Sequence, residues 1–372
     1  MKIIIIGPVY PFKGGIAHYT SRMYSALKRN HLINIISFKM QYPRLIYKNE
    51  QFEYDDDSFK IDNTKFLINT INPISWMNTI KDINLEMPDL VIVQWWHPYF
   101  SLCYRFILKR LKRIKILFVC HNVFPHERFP FDRPLSRSVL RLGDFFIVHS
   151  QQDALNLRSI VPIANLEVTV HPTYDIFGFG NMSCLEARKE LGIGLDRKVI
   201  LFFGFVREYK GLRYLLDALS LLKDKHKDIL LLIVGDFGGH KNEYQDLINT
   251  NSDNISIHDG YIPNREVEKF FVGCDVVVLP YITATQSGIV QIAYGFNKPV
   301  IATNVGGLPE VVVHGETGYI VEPKDSKGIA EAVMRYFEEN KTIEFTKNIE
   351  AMQYAFSWDR LTEKIEKLYK EY

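Results

Sequence analysis

Cysteine is scarce in this chain: Cys103, Cys120, Cys184 and Cys274 are the four in 372 residues, scattered and never in a C-x-x-C pair. That excludes a disulfide framework and a thiolate zinc site, and it fits a reducing cytoplasm. No apolar run approaches the roughly 18 residues of a membrane span. The opening MKIIIIGPVY reaches Gly7 and Pro8 after one short isoleucine run, which is no signal-peptide core. Charge of one sign is not in excess either: 45 basic against 43 acidic residues, net +2, excludes a general nucleic-acid binder. There is no internal repeat, no low-complexity tract, no G-x-G-x-x-G and no D-x-D at a strand end. The run Asp55-Asp56-Asp57 lies in an irregular stretch and reads as solvated. Apolar residues at 47 % and charged residues at 24 % exclude wholesale disorder.

What is present is alternation. A chain of this length exceeds one core of usual size, so two domains are expected. Short β-branched runs at Lys2–Ile6, 33–38, 90–94, 114–120 and 145–149 read as strands. Helical segments follow from Gly14-Gly15 to about Lys28, at 100–113 and at 135–142. The second half repeats the habit, with strands at 199–204, 230–234, 275–279 and 299–302, each followed by a helix. The stretch 41–62 reads as a long loop. Apolar strands alternating with helices predict parallel sheets covered on both faces, with ligands at the carboxyl ends of the strands. The fold class is therefore α/β, two doubly wound Rossmann-like domains. The glycine-bearing Phe177–Asn181 region places the boundary: residues 1–178, then 179–356, with a closing helix over 357–372 whose Leu361, Ile365 and Leu368 share one face.

Three stretches could carry chemistry. G-P-V-Y-P-F-K-G-G-I-A-H (7–18) places a glycine pair at a strand-to-helix junction, where backbone N–H groups can meet a phosphate or simply close a turn. F-F-G-F-V-R-E-Y-K-G-L (202–212) puts Arg207 and Lys210 at a strand's carboxyl end, a planar fork and a point charge for a diphosphate; two solvated cations are the plain alternative. In 279–310, the polar loop Thr283 to Ser287 enters a helix at Gly288, and Val305-Gly306-Gly307 enters another. Both are open to an anion.

These stretches, with A-Y-G-F-N-K-P-V-I-A-T-N-V-G-G-L-P-E, H-G-E-T-G-Y-I-V and H-N-V-F-P-H-E, resemble family 4 glycosyltransferases with the GT-B fold, whose two domains face each other across a cleft. The resemblance covers nearly the whole chain and is weakest over 39–88. It implies an N-terminal acceptor domain, joined by the closing helix, and a C-terminal nucleotide-sugar domain. Arg207 and Lys210 would neutralise the departing diphosphate, which Gly14 and Gly15 would approach from the other domain. His121 would sit beside the transferred sugar. His18 is an acceptor-side candidate, while His126 and His149 read as structural. The resemblance also implies retention of anomeric configuration by front-face attack, with no protein nucleophile, cofactor or metal.

The chain departs from the family pattern where two glutamates eight residues apart are usual. Ala284 and Ile292 stand there. The Arg-x-x-Lys spacing is also two residues tighter than is common. Donor contacts are assigned instead to Thr285, Gln286 and Ser287, plus the N–H groups of Gly288 and Ile289. Residues 101–141 carry ten basic and two acidic side chains, with Arg105, Lys109, Lys112 and Arg113 on one helix and Arg133, Arg137 and Arg141 as a second stripe. That surface suits either solvent or the inner face of an anionic membrane. The expected activity is transfer from a nucleotide sugar to a glycan or lipid-diphosphate-linked acceptor in bacterial surface-polysaccharide synthesis. The missing glutamates keep a second reading open, a non-catalytic partner subunit. An epimerase, which needs carboxylates at the sugar, ranks behind both.

Overall fold

The computed structural model describes all residues except 48–49, 55–59, 126–127, 175–176, 179–180, 224–225 and 372. The acidic run Asp55-Asp56-Asp57, His126, and Phe179-Gly180 of the expected boundary lie outside the described residues. The chain divides into two compact units, Met1–Val170 with Trp358–Tyr372, and His171–Ser357. The division falls at Val170/His171 rather than 178/179 because the intervening segment bonds into the second unit. Thr173 N–H donates to Phe356 O at 2.9 Å, and Tyr174 lies against Gly288.

Unit 1 is built on a seven-stranded sheet: β1 (Lys2–Ile6), β2 (Leu32–Met40), β3 (Lys65–Asn69), β4 (Leu90–Trp95), β5 (Lys115–Cys120), β6 (Phe145–Val148) and β7 (Asn165–Val168). The order is β3-β2-β1-β4-β5-β6-β7, every pairing parallel. Unit 2 holds β8 (Lys198–Phe203), β9 (Ile229–Gly235), β10 (Ile255–Asp259), β11 (Val276–Leu279), β12 (Val300–Thr303) and β13 (Gly318–Val321). Their order is β10-β9-β8-β11-β12-β13, again parallel. Central strands such as IIII and LVIVQW are buried along their length because helices cover both faces. In each sheet the strand order reverses once, between β1 and β4 and between β8 and β11. Those reversals open the crevices where sheets of this kind take ligands.

One expected helix is shorter than the sequence implied, and another is shifted towards the N-terminus. The segment expected over 100–113 is helical over Ser101–Leu108; Arg113, at φ 59°, turns the chain back into β5. Lys112 and Arg113 therefore stand on a turn rather than on the helix face. The segment expected over 135–142 runs over Asp132–Leu140.

The closing helix Trp358–Glu371 packs on unit 1 through Trp358, Leu361, Ile365 and Leu368, all buried. Trp358 meets Tyr19 edge-on, with ring centroids 4.9 Å apart. On the polar side Lys364 and Lys367 grip Glu167 at 2.7 and 2.9 Å, and Arg29 pairs with Asp359. Tyr19 also meets His149, which is 2 % exposed and donates from Nδ1 to Thr169 O at 3.0 Å. Burial pushes the His149 pKa down to about 4, outweighing that hydrogen bond. In the unfolded chain this ring takes a proton near pH 6.5, whereas in the fold it stays neutral. Acidification from pH 6.5 towards 4 should therefore destabilise unit 1, by about 3 kcal/mol in all from this group. Thermal unfolding across that range should show the slope, and His149→Phe should flatten it; an unchanged slope would reject the assignment.

Candidate active site

In unit 2 the two loops at the β8/β11 reversal are tied together. After β8, Arg207 opens the single turn Glu208–Lys210 and Lys210 N–H closes back on Arg207 O. After β11, Ile282 N–H donates to Tyr209 O at 2.7 Å, which fixes the second loop to the first. The Tyr281 carbonyl accepts from Thr303 Oγ1 at 2.6 Å, anchoring the loop to the end of β12. The Tyr281 hydroxyl lies 3.2 Å from Ser287 Oγ, and its ring centroid 5.6 Å from Lys210 Nζ.

Arg207 and Lys210 occupy space that two glycines leave open. A Cβ on Gly204 would stand 2.8 Å from Lys210 Nζ, and one on Gly238 2.5 Å from an Arg207 guanidinium nitrogen. Lys210 is half-buried, and burial pulls its ammonium below the ordinary lysine range; Arg207 adds to the effect. Among the described residues neither cation has a hydrogen bond or a carboxylate partner. Most other buried or half-buried cations here do: Arg188 is paired to Asp275 and three backbone carbonyls. Two adjacent positive groups, without counter-charge among the described residues, stand at the carboxyl edge of a parallel sheet, where they are a candidate for binding an anion.

The loop 283–287 delivers Ser287 as N-cap of helix Gly288–Gly295. Here the structure corrects one expectation. The Ile289 N–H is taken by Ser287 Oγ at 3.2 Å, so it is spent on the cap. Ile289 contributes its side chain instead, which lies beside Gly204 next to Lys210. The third expected anion-friendly helix start is also corrected. Leu308–Val311 is one short turn, and Gly307 N–H donates to Thr285 O at 2.8 Å, so this glycine loop buttresses the donor loop. Ala284 is half-buried and Ile292 is buried. Sequence reasoning passed over Gln291, which is 2 % exposed. Its Oε1, like Gln286 Nε2, finds no hydrogen-bond partner among the described residues. A polar residue within an otherwise apolar helix was the available signal.

In unit 1 the expected residues gather at the β1/β4 reversal. Gly14 caps helix Gly15–Leu27 at φ 103°, and both Gly14 and Gly15 are exposed. His18, one turn on, is 9 % exposed. His121 directly follows β5; its N–H donates to Trp95 O at 2.8 Å, and its ring is half-buried. Tyr19 meets that ring edge-on at 4.6 Å, and Nε2 lies 2.8 Å from Gln94 Oε1. Tyr19 and Gln94 went unnoticed because their register against His121 exists only once the strands pair.

Elsewhere in unit 1, Arg105, Lys109, Arg110, Lys112, Arg113, Arg133, Arg137 and Arg141 are exposed, while Tyr104, Ile107 and Leu108 are buried. Among the described residues no group of three or more His, Cys, Asp or Glu is placed to hold a metal ion. No helix among them is long and apolar enough to cross a membrane.

Comparison with known proteins adds the following. The family described as Glycosyl transferases group 1 matches residues 197–339, a span that includes Arg207, Lys210 and the loop 283–287. The chain is 29 % identical over 218 residues to the D-inositol 3-phosphate glycosyltransferase of Corynebacterium diphtheriae, covering 56 % of this chain and 49 % of that protein. It is 25 % identical over 288 residues to the enzyme of the same name from Corynebacterium glutamicum, covering 71 % and 68 %. The chain thus spans about half the length of the first relative and about two-thirds of the second. In fold it is similar over 100 % of both chains to Anabaena HepE solved in complex with UDP, with a TM-score of 0.75 at 16 % identity. Residues 197–339 are thus a Glycosyl transferases group 1 domain, and the chain that carries them has the GT-B glycosyltransferase fold, with two Rossmann-like domains.

Proposed function

We propose that the chain is a retaining, metal-independent glycosyltransferase of family 4. It would move a sugar from a nucleotide-sugar donor to a glycan or lipid-diphosphate-linked acceptor in bacterial surface-polysaccharide synthesis. The observation that carries this reading is the uncompensated pair Arg207 and Lys210 at the β8/β11 reversal. A departing nucleoside diphosphate supplies the counter-charge they lack, and preorganised cations stabilise the charge that builds as the bond breaks. The likeness to a structure solved with UDP supports the same class of donor, and the names of the relatives support glycosyl transfer.

In this reading unit 2 holds the diphosphate through Arg207, Lys210 and the Gly288 N–H, with Thr285, Gln286 and Ser287 towards the sugar. Gly14 and Gly15 of unit 1 offer backbone N–H groups to phosphate, His121 serves the transferred sugar, and His18 the acceptor. The bond from anomeric carbon to phosphate oxygen breaks while the acceptor oxygen bonds to that carbon on the same face. The acceptor's proton passes to a phosphate oxygen of the leaving group. Ile292 and Ala284, standing where family members have glutamates, favour a second reading: a glycosyltransferase-like subunit that stabilises an active partner.

A thermal-shift panel of nucleotide sugars tests the donor class, because a ligand that binds only the native state raises stability with occupancy. One or more donors should stabilise the chain, and the purified protein should transfer or hydrolyse the donor it binds. Binding without turnover supports the partner-subunit reading; no binding rejects the transfer reading. Lys210→Ala should weaken the bound donor about 10- to 100-fold, the range of one charge-assisted hydrogen bond. Because the Lys210 pKa is lowered, affinity should fall as pH rises through a range below that of ordinary lysine, and this limb should vanish in Lys210→Ala.

The basic surface fits an anionic membrane, which attracts about 1 kcal/mol per cation near the headgroups. The proposed location is the cytoplasmic face of the membrane. Flotation with vesicles should rise with anionic lipid content and fall in the double variant Arg105→Glu/Arg137→Glu. Flotation indifferent to anionic lipid would remove the membrane from the proposal.

A further inference from the structure

Gln94 is a polar side chain with no exposure at all, near the carboxyl end of β4, in register with Val119 of β5. It stands one residue short of the strand's end, beside the first loop. A Cβ on Gly7 would come 2.6 Å from Gln94 Cγ and 3.2 Å from its Cβ. The glycine that ends β1 is therefore what admits a glutamine here. The amide is oriented by its two neighbours. Met23 Sδ lies 3.8 Å from Nε2, and a thioether can accept a hydrogen bond but has none to give. The N–H₂ group therefore faces sulfur and Oε1 faces the ring of His121, at 2.8 Å. An amide oxygen only accepts, so the hydrogen of this bond belongs to His121 Nε2, which in the neutral ring is the Nε2–H tautomer. Tyr19, edge-on at 4.6 Å, sets the plane in which the ring can lie.

We propose that Gln94 is a positioning residue that holds His121 in the Nε2–H tautomer and fixes its ring orientation, through a contact that Gly7 makes room for. Its use in turnover rests on the proposed transfer, in which it would fix the His121 ring beside the sugar. A glutamine does what a carboxylate would do for the tautomer without adding a charge that favours imidazolium.

The test is nitrogen-15 NMR of the histidine rings in the full chain, with His121 assigned by its loss in His121→Gln. Wild type should show His121 as a single Nε2–H tautomer. Gln94→Met, close in shape and lacking the acceptor oxygen, should give an exchanging mixture of tautomers with the fold retained by circular dichroism. Gln94→Glu, which keeps an acceptor, should restore the Nε2–H form. A wild-type Nδ1–H ring, or a Gln94→Met ring still locked as Nε2–H, would overturn the proposal. On the donor that the nucleotide-sugar panel selects, Gln94→Met should lower kcat about 10- to 100-fold with donor KM changed by no more than about twofold. A panel with no donor at all would defeat the transfer reading, while the tautomer result would stand or fall separately.

Discussion

A lysine half-removed from water beside an arginine, with no carboxylate on either among the described residues, destabilises the free protein. The fold accepts this because the β8/β11 reversal leaves a crevice there and the surrounding contacts hold both groups in it. Elsewhere in unit 2 Arg188 is paired with Asp275, and Lys298 donates to the Val272 and Cys274 carbonyls. The contrast sets Arg207 and Lys210 apart as the proposed ligand-binding cations. Favourable binding of an anion can offset a penalty that evolution has left in the free state.

The rest of unit 2's site follows from holding two loops against that charge. Tyr209 O accepts from Ile282, Tyr281 O from Thr303, and Thr285 O from Gly307. Three backbone carbonyls thereby fix the segment that delivers Ser287 and the start of helix Gly288–Gly295. Each bond is worth only about 1 kcal/mol, yet together they set where the polar groups stand, with the Thr303 hydroxyl the one side chain among the three donors. The second glycine loop, which by sequence looked like another phosphate site, proves to be the support of the first.

Much of the fold was legible because the central strands are uninterrupted apolar runs. The four strands that escaped notice, Lys65–Asn69, Asn165–Val168, Ile255–Asp259 and Gly318–Val321, are the lateral edges of the two sheets. Half-buried and mixed in character, they lack the continuous run that marks a strand covered on both faces. For the site, Arg207, Lys210, His121 and the loop 283–287 stood out by residue type at strand ends. What escaped was relational: Tyr281 between Lys210 and Ser287, Gln94 across from His121, and the capture of the Ile289 N–H by its own cap. No spacing in one sequence reveals contacts that strand pairing creates. The helix expected through 113 stops at Leu108, where the chain tightens into i to i−3 turns at Arg110 and Leu111 before the left-handed Arg113 redirects it into β5.

The most direct measurement is calorimetric titration of the wild-type chain and Arg207→Ala/Lys210→Ala with matched nucleoside mono- and diphosphates of all the common bases. If the cation pair exists to hold a pyrophosphate group, at least one diphosphate should bind the wild type tenfold or more tighter than its monophosphate, and that preference should disappear in the double variant. Equal affinity for the two, or a preference that survives loss of both cations, would contradict the account.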